Sequence, residues 1–325
     1  MTLLILRRAA ASLVLLWLVL TLTFSLVHLA PGDPIQLLDD PRMPPRQRAH
    51  LREVYGLDRP PLEQYLGWLR AVVLDLDWGS SFVHGRPVSA VLAEALPATL
   101  LLAASALLLL YAGGLLLGVL AACHPRGLVD HLIRAGSLLV YSLPVFWLGL
   151  MAILLLSLRW PLFPAGHLRS VDAASLPPLA RLLDLVSHLA LPSLVLAAAA
   201  MGGVARFVRN SLLEVLGQDF IRSARARGLS AGRVVWVHGL RNAAGPLIQL
   251  FGLHFPFLLS GSVVVEVVFA WPGVGRLTYD AILARDYPIV LAATALTAAM
   301  VVAGNLLADL LHAWADPRLR RPGTA

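Results

Sequence analysis

The 325-residue chain is 58% hydrophobic and only 14% charged, where a soluble domain carries about a quarter of its residues charged, so a single water-soluble core is excluded. All 26 cationic side chains are arginine; without lysine there is neither a P-loop, whose Lys reaches the terminal phosphates of ATP, nor a lysine Schiff base. The lone cysteine, Cys123, forbids an internal disulfide, and ten dispersed histidines form no zinc pattern, so neither metal nor cofactor is expected.

The chain is read in order as runs free of Asp, Glu and Arg, because a helix crossing about 30 Å of hydrocarbon needs roughly 20 apolar residues. Six runs qualify: Ala9 to Ala30, Pro97 to Cys123, Ala135 to Leu158, Leu185 to Ala205, Asn242 to Val265 and Tyr287 to Ala308. The first follows Arg7 and Arg8 and is longer than the apolar core of a signal peptide, so it reads as an uncleaved span. Between the first and second runs, Pro31 to Leu96 is polar, with nine acidic residues, seven arginines and turn signals at Pro31-Gly32-Asp33-Pro34, Pro44-Pro45, Pro60-Pro61 and Trp78-Gly79-Ser80-Ser81. Apolar residues at helical spacing predict short helices over Gln47 to Tyr55 and Leu62 to Leu74, lying on the outer membrane face. Gly114 and Gly118 in the second run, and Gly202 and Gly203 in the fourth, are small residues suited to close helix contact. Pro144, Pro192 and Pro256 lie inside runs and allow kinks.

The arginines orient this all-α membrane protein. With the N-terminus inside, 14 of the 26 fall on the cytoplasmic side, seven of them between Arg206 and Arg241. The short outer loops hold five, and the remaining seven sit in the long segment after the first span. The positive-inside rule therefore predicts six spans, N-in and C-in, and the net charge of +7 needs no nucleic-acid partner.

The inside loop 206–245 is patterned, not merely polar. Asp219 is placed to cap a short helix whose Phe220, Ile221 and Ala224 share a face; Gly228 supplies a left-handed stop; Ser230 is placed to cap a second helix running through Val234, Val235, Val237 and Leu240 to Pro246. The expected product is a rigid knob between two spans. Its Arg222, Arg225, Arg227 and Arg233 offer bidentate contacts to acidic groups or carbonyls of a partner.

Here the sequence resembles a family. Arg222-Ser223-Ala224-Arg225-Ala226-Arg227-Gly228-Leu229, followed by His238-Gly239-Leu240-Arg241-Asn242 and Pro246, looks like the coupling loop of ABC importer permeases. That loop reads E-A-A, three residues, then Gly in the wider superfamily; Arg222 and Ser223 replace the Glu and first Ala, as in the peptide-type branch. The same branch is resembled by Leu29-Ala30-Pro31-Gly32-Asp33-Pro34, by Val265-Glu266-Val267-Val268-Phe269-Ala270-Trp271-Pro272-Gly273-Val274-Gly275-Arg276-Leu277, by Arg285-Asp286-Tyr287-Pro288 and by Asp316-Pro317-Arg318.

The resemblance implies the six-helix ABC importer type I permease fold and the first of two paired permeases of a dipeptide/oligopeptide/nickel-type importer in a bacterial inner membrane. Expected partners are a second homologous permease, two cytoplasmic ATPase subunits, an extracytoplasmic substrate-binding protein and the bilayer. Arg222, Ala224, Arg225, Gly228, Arg241 and Asn242 are the expected ATPase-coupling residues. On this reading the chain is no enzyme, and its parts are 1–30 (first span), 31–96 (extracytoplasmic segment), 97–314 (five-helix core with coupling loop 206–245) and 315–325 (cytoplasmic tail).

Polar groups within or beside the spans are candidates for the path or a gate: Glu266, His254 and Asn305. Glu266 follows Pro246 by 20 residues, about 30 Å of helix, which predicts an outer position in reach of water. His254 lies deeper, where a neutral imidazole hydrogen-bonded between helices is expected, and His28 and His188 are further intramembrane polar groups. A nickel or nickel-chelate importer of the same type is the alternative substrate reading. A secondary carrier fits poorly, because such proteins place charges in their spans. An intramembrane hydrolase built on Ser260 and His254 fails because residues six apart do not share a helix face.

Overall fold

The computed structural model describes residues 2–29, 58–243, 254 and 262–315, with side chains between Ala10 and Leu306. Among the described residues the regular structure is helical, apart from one isolated bridge between Ser80 and Pro87. In order the helices are α1 (Thr2–Leu29), α2 (Pro61–Arg70), α3 (Val88–Cys123), α4 (Leu128–Ser142), α5 (Val145–Ile153), α6 (Pro178–Leu216) and α7 (Asp219–Ala226). There follow α8, which covers 231–243 with a wider π-wound middle at Val234–Gly239, a short helical stretch at 262–268, α9 (Val274–Leu283) and α10 (Tyr287–Ala315).

Among the described residues, Ala10–Leu29 of α1, the whole of α3 and α6, and Tyr287–Leu306 of α10 are long and apolar enough to cross a membrane. These match the expected first, second, fourth and sixth spans. The third differs: α4 and the helical stretch Val145–Arg159 pass the same test only together and bend by 104° between them. Pro144 is the physical reason. It has no N–H to donate and disfavours helix at the residue before it, and Leu143 is indeed extended, with φ −93° and ψ 139°. Pro192, by contrast, lies inside α6, which continues past it, and Pro97 does the same in α3. Most of the expected fifth span, Pro256 and the helix over 47–55 lie outside the described residues, whereas the expected helix over 62–74 is α2, which continues through Ala71–Asp75.

The chain divides into two compact units, Met1–Thr99 with Pro272–Met300, and Leu100–Trp271 with Val301–Ala325. In the first, Val88, Val91 and Leu92 of α3 form a buried core with Val274 and Ala281 of α9 and Ile289, Val290 and Ala293 of α10. α2 lies along α1, joined by Thr21 Oγ1 to the Tyr65 hydroxyl (2.7 Å) and by His28 Nε2 to Gln64 Oε1 (3.1 Å). The Arg285-Asp286-Tyr287-Pro288 segment acquires a structural meaning. Asp286, 1% exposed, accepts from the Ser81 hydroxyl (2.5 Å) and from the N–H groups of Phe82 and Val83 (both 3.2 Å), tying the turn around Ser81 to the start of α10. Thr99 Oγ1 accepts the Val274 N–H (2.8 Å) at the start of α9.

In the second unit α6 is the hub. Gly114 and Gly118 of α3 face it: a Cβ at Gly114 would stand 2.7 Å from the Val204 Cβ, and one at Gly118 2.6 Å from the Val208 Cβ. Ser105 and Ser193 hydroxyls meet at 2.6 Å on the same seam. Partner numbers rise together along the two helices, so α3 and α6 run parallel, close enough that only small residues fit. α4 pairs with α6 in the opposite sense: Asp130 meets Arg209 while Ser137 meets Gly202. Gly149 of α5 instead faces Val268 and Phe269.

Candidate functional site

α6 has 39 residues, about 58 Å at 1.5 Å per residue, far beyond the hydrocarbon thickness. Its C-terminal part carries the Arg-rich loop as a folded knob. Gly217 closes α6 and Gln218, extended at φ −79° and ψ 156°, opens α7. Asp219, expected as the cap, sits one position later in the first turn and pairs with Arg222 across the exposed surface. Such exposed pairs contribute little stability.

The end of α7 is a Schellman turn, in which a left-handed residue lets two N–H groups fold back onto the last helical carbonyls. Gly228, at φ +77°, donates to the Arg225 carbonyl (2.9 Å), and the Leu229 N–H reaches the Ala224 carbonyl (3.4 Å). Leu229 then packs on a small apolar core of Val215, Ile221, Ala224, Val234 and Ala243. Ser230 occupies the expected cap position of α8, with extended backbone but no side-chain cap bond. Gly239 seats α8 on α6, since a Cβ there would stand 2.8 Å from the Leu212 side chain.

This order sorts the expected coupling residues. Ala224 is 1% exposed and belongs to the core, where only a small side chain fits. Phe220, expected on the same inner face, is 39% exposed instead. Arg222, Arg225, Arg227 and Arg233 are exposed, as are Arg241 and Asn242. The Asn242 amide donates to the His238 carbonyl (2.7 Å) within α8. The knob thus presents guanidinium groups on a scaffold that fixes where they start, a chemistry suited to carboxylates and carbonyl-rich helix ends.

The candidate path residues differ in their surroundings. His254 is partly buried, with Nδ1 3.0 Å from the Tyr111 hydroxyl of α3, the interhelical bond expected of it. Glu266, expected near water, is fully buried at 0% exposure. Depth along one helix says nothing of what packs beside it, and distant parts of the chain pack against this segment: Gly149 on Val268 and Phe269, and the His167 N–H on the Phe269 carbonyl (2.8 Å), with Phe269 and Trp271 both fully buried. Asn305 is exposed on α10. His28 stacks on Phe24, and His188 is bound to the Asp184 carbonyl one turn earlier (2.8 Å).

Several residues were not singled out by the sequence reading. Asp130, at 0% exposure, receives both Arg209 Nε and Nη2 at 2.6 Å and the Arg126 N–H at 2.9 Å. Gly166 lies so close to the Phe269 carbonyl that a Cβ would stand 2.4 Å from its oxygen, and the next residue, His167, donates its N–H to that oxygen (2.8 Å). No local pattern reveals either contact; the only signal for the first was an acid among many arginines at a span end.

The chain matches the profile described as "Binding-protein-dependent transport system inner membrane component" over residues 114–321. The corresponding N-terminal profile matches residues 1–103. It is 41% identical over 316 residues to the oligopeptide transport system permease protein AppB of Bacillus subtilis, covering 97% of this chain and 98% of that protein. It is 38% identical to the dipeptide transport system permease protein DppB of Escherichia coli K12, covering 92% and 93%. Among solved structures, a chain of the MetNI methionine ABC transporter in an inward-facing conformation matches with a TM-score of 0.50 and 19% identity, covering 68% of this chain and 96% of that one, a likeness of fold alone.

Proposed function

Because the chain belongs to the family of binding-protein-dependent transport system inner membrane components, we propose that its knob is the site at which ATPase subunits drive the membrane helices. The protein is a multi-pass permease of a peptide ABC importer. Peptides are the substrate class because relatives spanning nearly the whole chain are named for oligopeptide, dipeptide and di/tripeptide transport.

The finer reading has six spans, N-in and C-in, in a bacterial inner membrane. It is supported by the arginine bias and by the parallel course of α3 and α6, which requires the chain between them to return across the membrane once, through the bent pair α4 and Val145–Arg159. A second, homologous permease completes the path, two cytoplasmic ATPases supply the energy, and an extracytoplasmic binding protein delivers the peptide. Segment 31–96 faces that protein, His254 and Asn305 line the path, and Glu266, buried in this conformation, acts as a gate.

The observation that carries the coupling role is the Schellman-closed knob on the end of a helix that also spans the membrane. Arg222, Arg225, Arg241 and Asn242 meet the ATPase surface, while Ala224 and Gly228 hold the knob's shape. ATP-driven closure of the ATPase pair moves the knob, and α6 passes that motion to the helices packed on it, switching access from one side to the other. A photo-crosslinking residue at Arg225 tests this in the assembled transporter. The crosslink is expected to capture an ATPase subunit; capture of lipid or the binding protein alone would refute the assignment.

A further inference from the structure

We infer that Asp130 and Arg209 are positioning residues for coupling: their buried ion pair fastens α4 to the knob-bearing α6, so the two move as one lever that flexes at the Leu143–Pro144 break. This rests on the knob being the ATPase contact.

The two helices are joined at successive heights. At the cytoplasmic end, the Arg209 guanidinium grips both oxygens of Asp130 at 2.6 Å, side-chain exposure being 15% and 0%. The carboxylate also accepts the Arg126 N–H (2.9 Å), at a residue held in left-handed backbone with φ +63°. Seven residues further along α4, and seven back along α6, Gly202 lets Ser137 approach until a Cβ would stand 2.6 Å from the Ser137 Cβ. Seven residues are about 10.5 Å of helix, so the contacts recur after two turns on the same faces. From the same stretch of α6 the Arg206 guanidinium lies 6.0 Å from the centre of the Tyr141 ring, four residues beyond Ser137 on α4.

A close-packed, ion-paired seam has few intermediate arrangements, and sliding it would strand a buried charge without a partner. Beyond Ser142 the attachment changes. The chain turns by 104°, and α5, which also touches α6, gains a second anchor where Gly149 packs on Val268 and Phe269. Displacement of the knob therefore carries α4 with it and is absorbed at Leu143 and Pro144, in the middle of the third span.

The test uses the transporter assembled with its partner permease, ATPases and binding protein in nanodiscs, in a Cys123→Ser background. Spin labels at the exposed positions His131 and Asn210 report the α4 to α6 distance, and labels at His131 and Leu158 report across the break. Between the nucleotide-free state and the state trapped with ATP and vanadate, the first distance is expected to stay within its distribution width while the second shifts. A shift in the first, or none in the second, overturns the lever. In uptake of tritiated dialanine, Asp130→Arg or Arg209→Asp alone is expected to lower transport per ATP about tenfold, within the usual span of coupling effects, and the reversed pair is expected to recover most of it. Failure of the reversed pair to recover, with both chains inserted and assembled, also overturns it. If the parent complex shows no ATP-dependent uptake, the coupling role of the knob fails instead. Should the single variants not insert, the spin-label distances decide.

Discussion

Gly228 is required by its backbone, not by crowding: an ideal Cβ there meets nothing within 4 Å, while φ is +77°. Alanine therefore costs about 1–2 kcal/mol of left-handed strain without a clash, asparagine less, and proline cannot adopt the conformation. Uptake in membrane vesicles should fall in the order Gly228→Asn, Gly228→Ala, Gly228→Pro, with equal insertion; alanine performing as well as asparagine would contradict this. Asp286 makes the opposite kind of demand. Asp286→Ala leaves the buried Ser81 hydroxyl and the N–H groups of Phe82 and Val83 without their acceptor, at about 1–3 kcal/mol for each group left unsatisfied. Thermal unfolding in detergent should show a clear drop for this variant and a smaller one for Ser81→Ala. Gly166 is governed by space, since its Cβ would stand 2.4 Å from a backbone oxygen that cannot move independently of Phe269.

Among the elements, the α3 and α6 seam depends on Gly114 and Gly118. A leucine at Gly118 meets both the Val208 Cβ at 2.6 Å and the Ala205 carbonyl at 2.7 Å. The helices must then separate, and overpacking of this kind costs about 1–3 kcal/mol or more. Gly118→Leu is expected to lose protease resistance in the membrane, whereas Gly203→Leu, whose site is open, is expected to keep it. These elements also divide what sequence could and could not reveal. The Gly114 to Gly118 spacing and the left-handed Gly228 were readable because a few local residues determine them. A kink at Pro144 was foreseen, but not that α5 beyond it would pack Gly149 on Val268 and Phe269, more than 100 residues away. The Asp130 to Arg209 pair, 79 residues apart, and the burial of Glu266 depend on which helices become neighbours, and hydropathy runs do not encode that.

At the scale of the whole molecule, an excess of arginine and an absence of lysine first separated this chain from ATP chemistry. In the proposed N-in orientation, half of the arginines on the inner side lie in the loop that folds into the knob. On the proposed coupling role the energy enters through that knob, since α6 is both its support and the hub of the second unit. The most direct measurement is dialanine uptake with simultaneous ATP hydrolysis in proteoliposomes holding the full transporter, comparing the native chain with Gly228→Pro. The native complex should accumulate peptide only with ATP, and the variant should insert and bind peptide-loaded binding protein while losing uptake. Accumulation by the native chain without ATPase subunits, or undiminished uptake by the variant, would contradict a permease driven through its cytoplasmic knob.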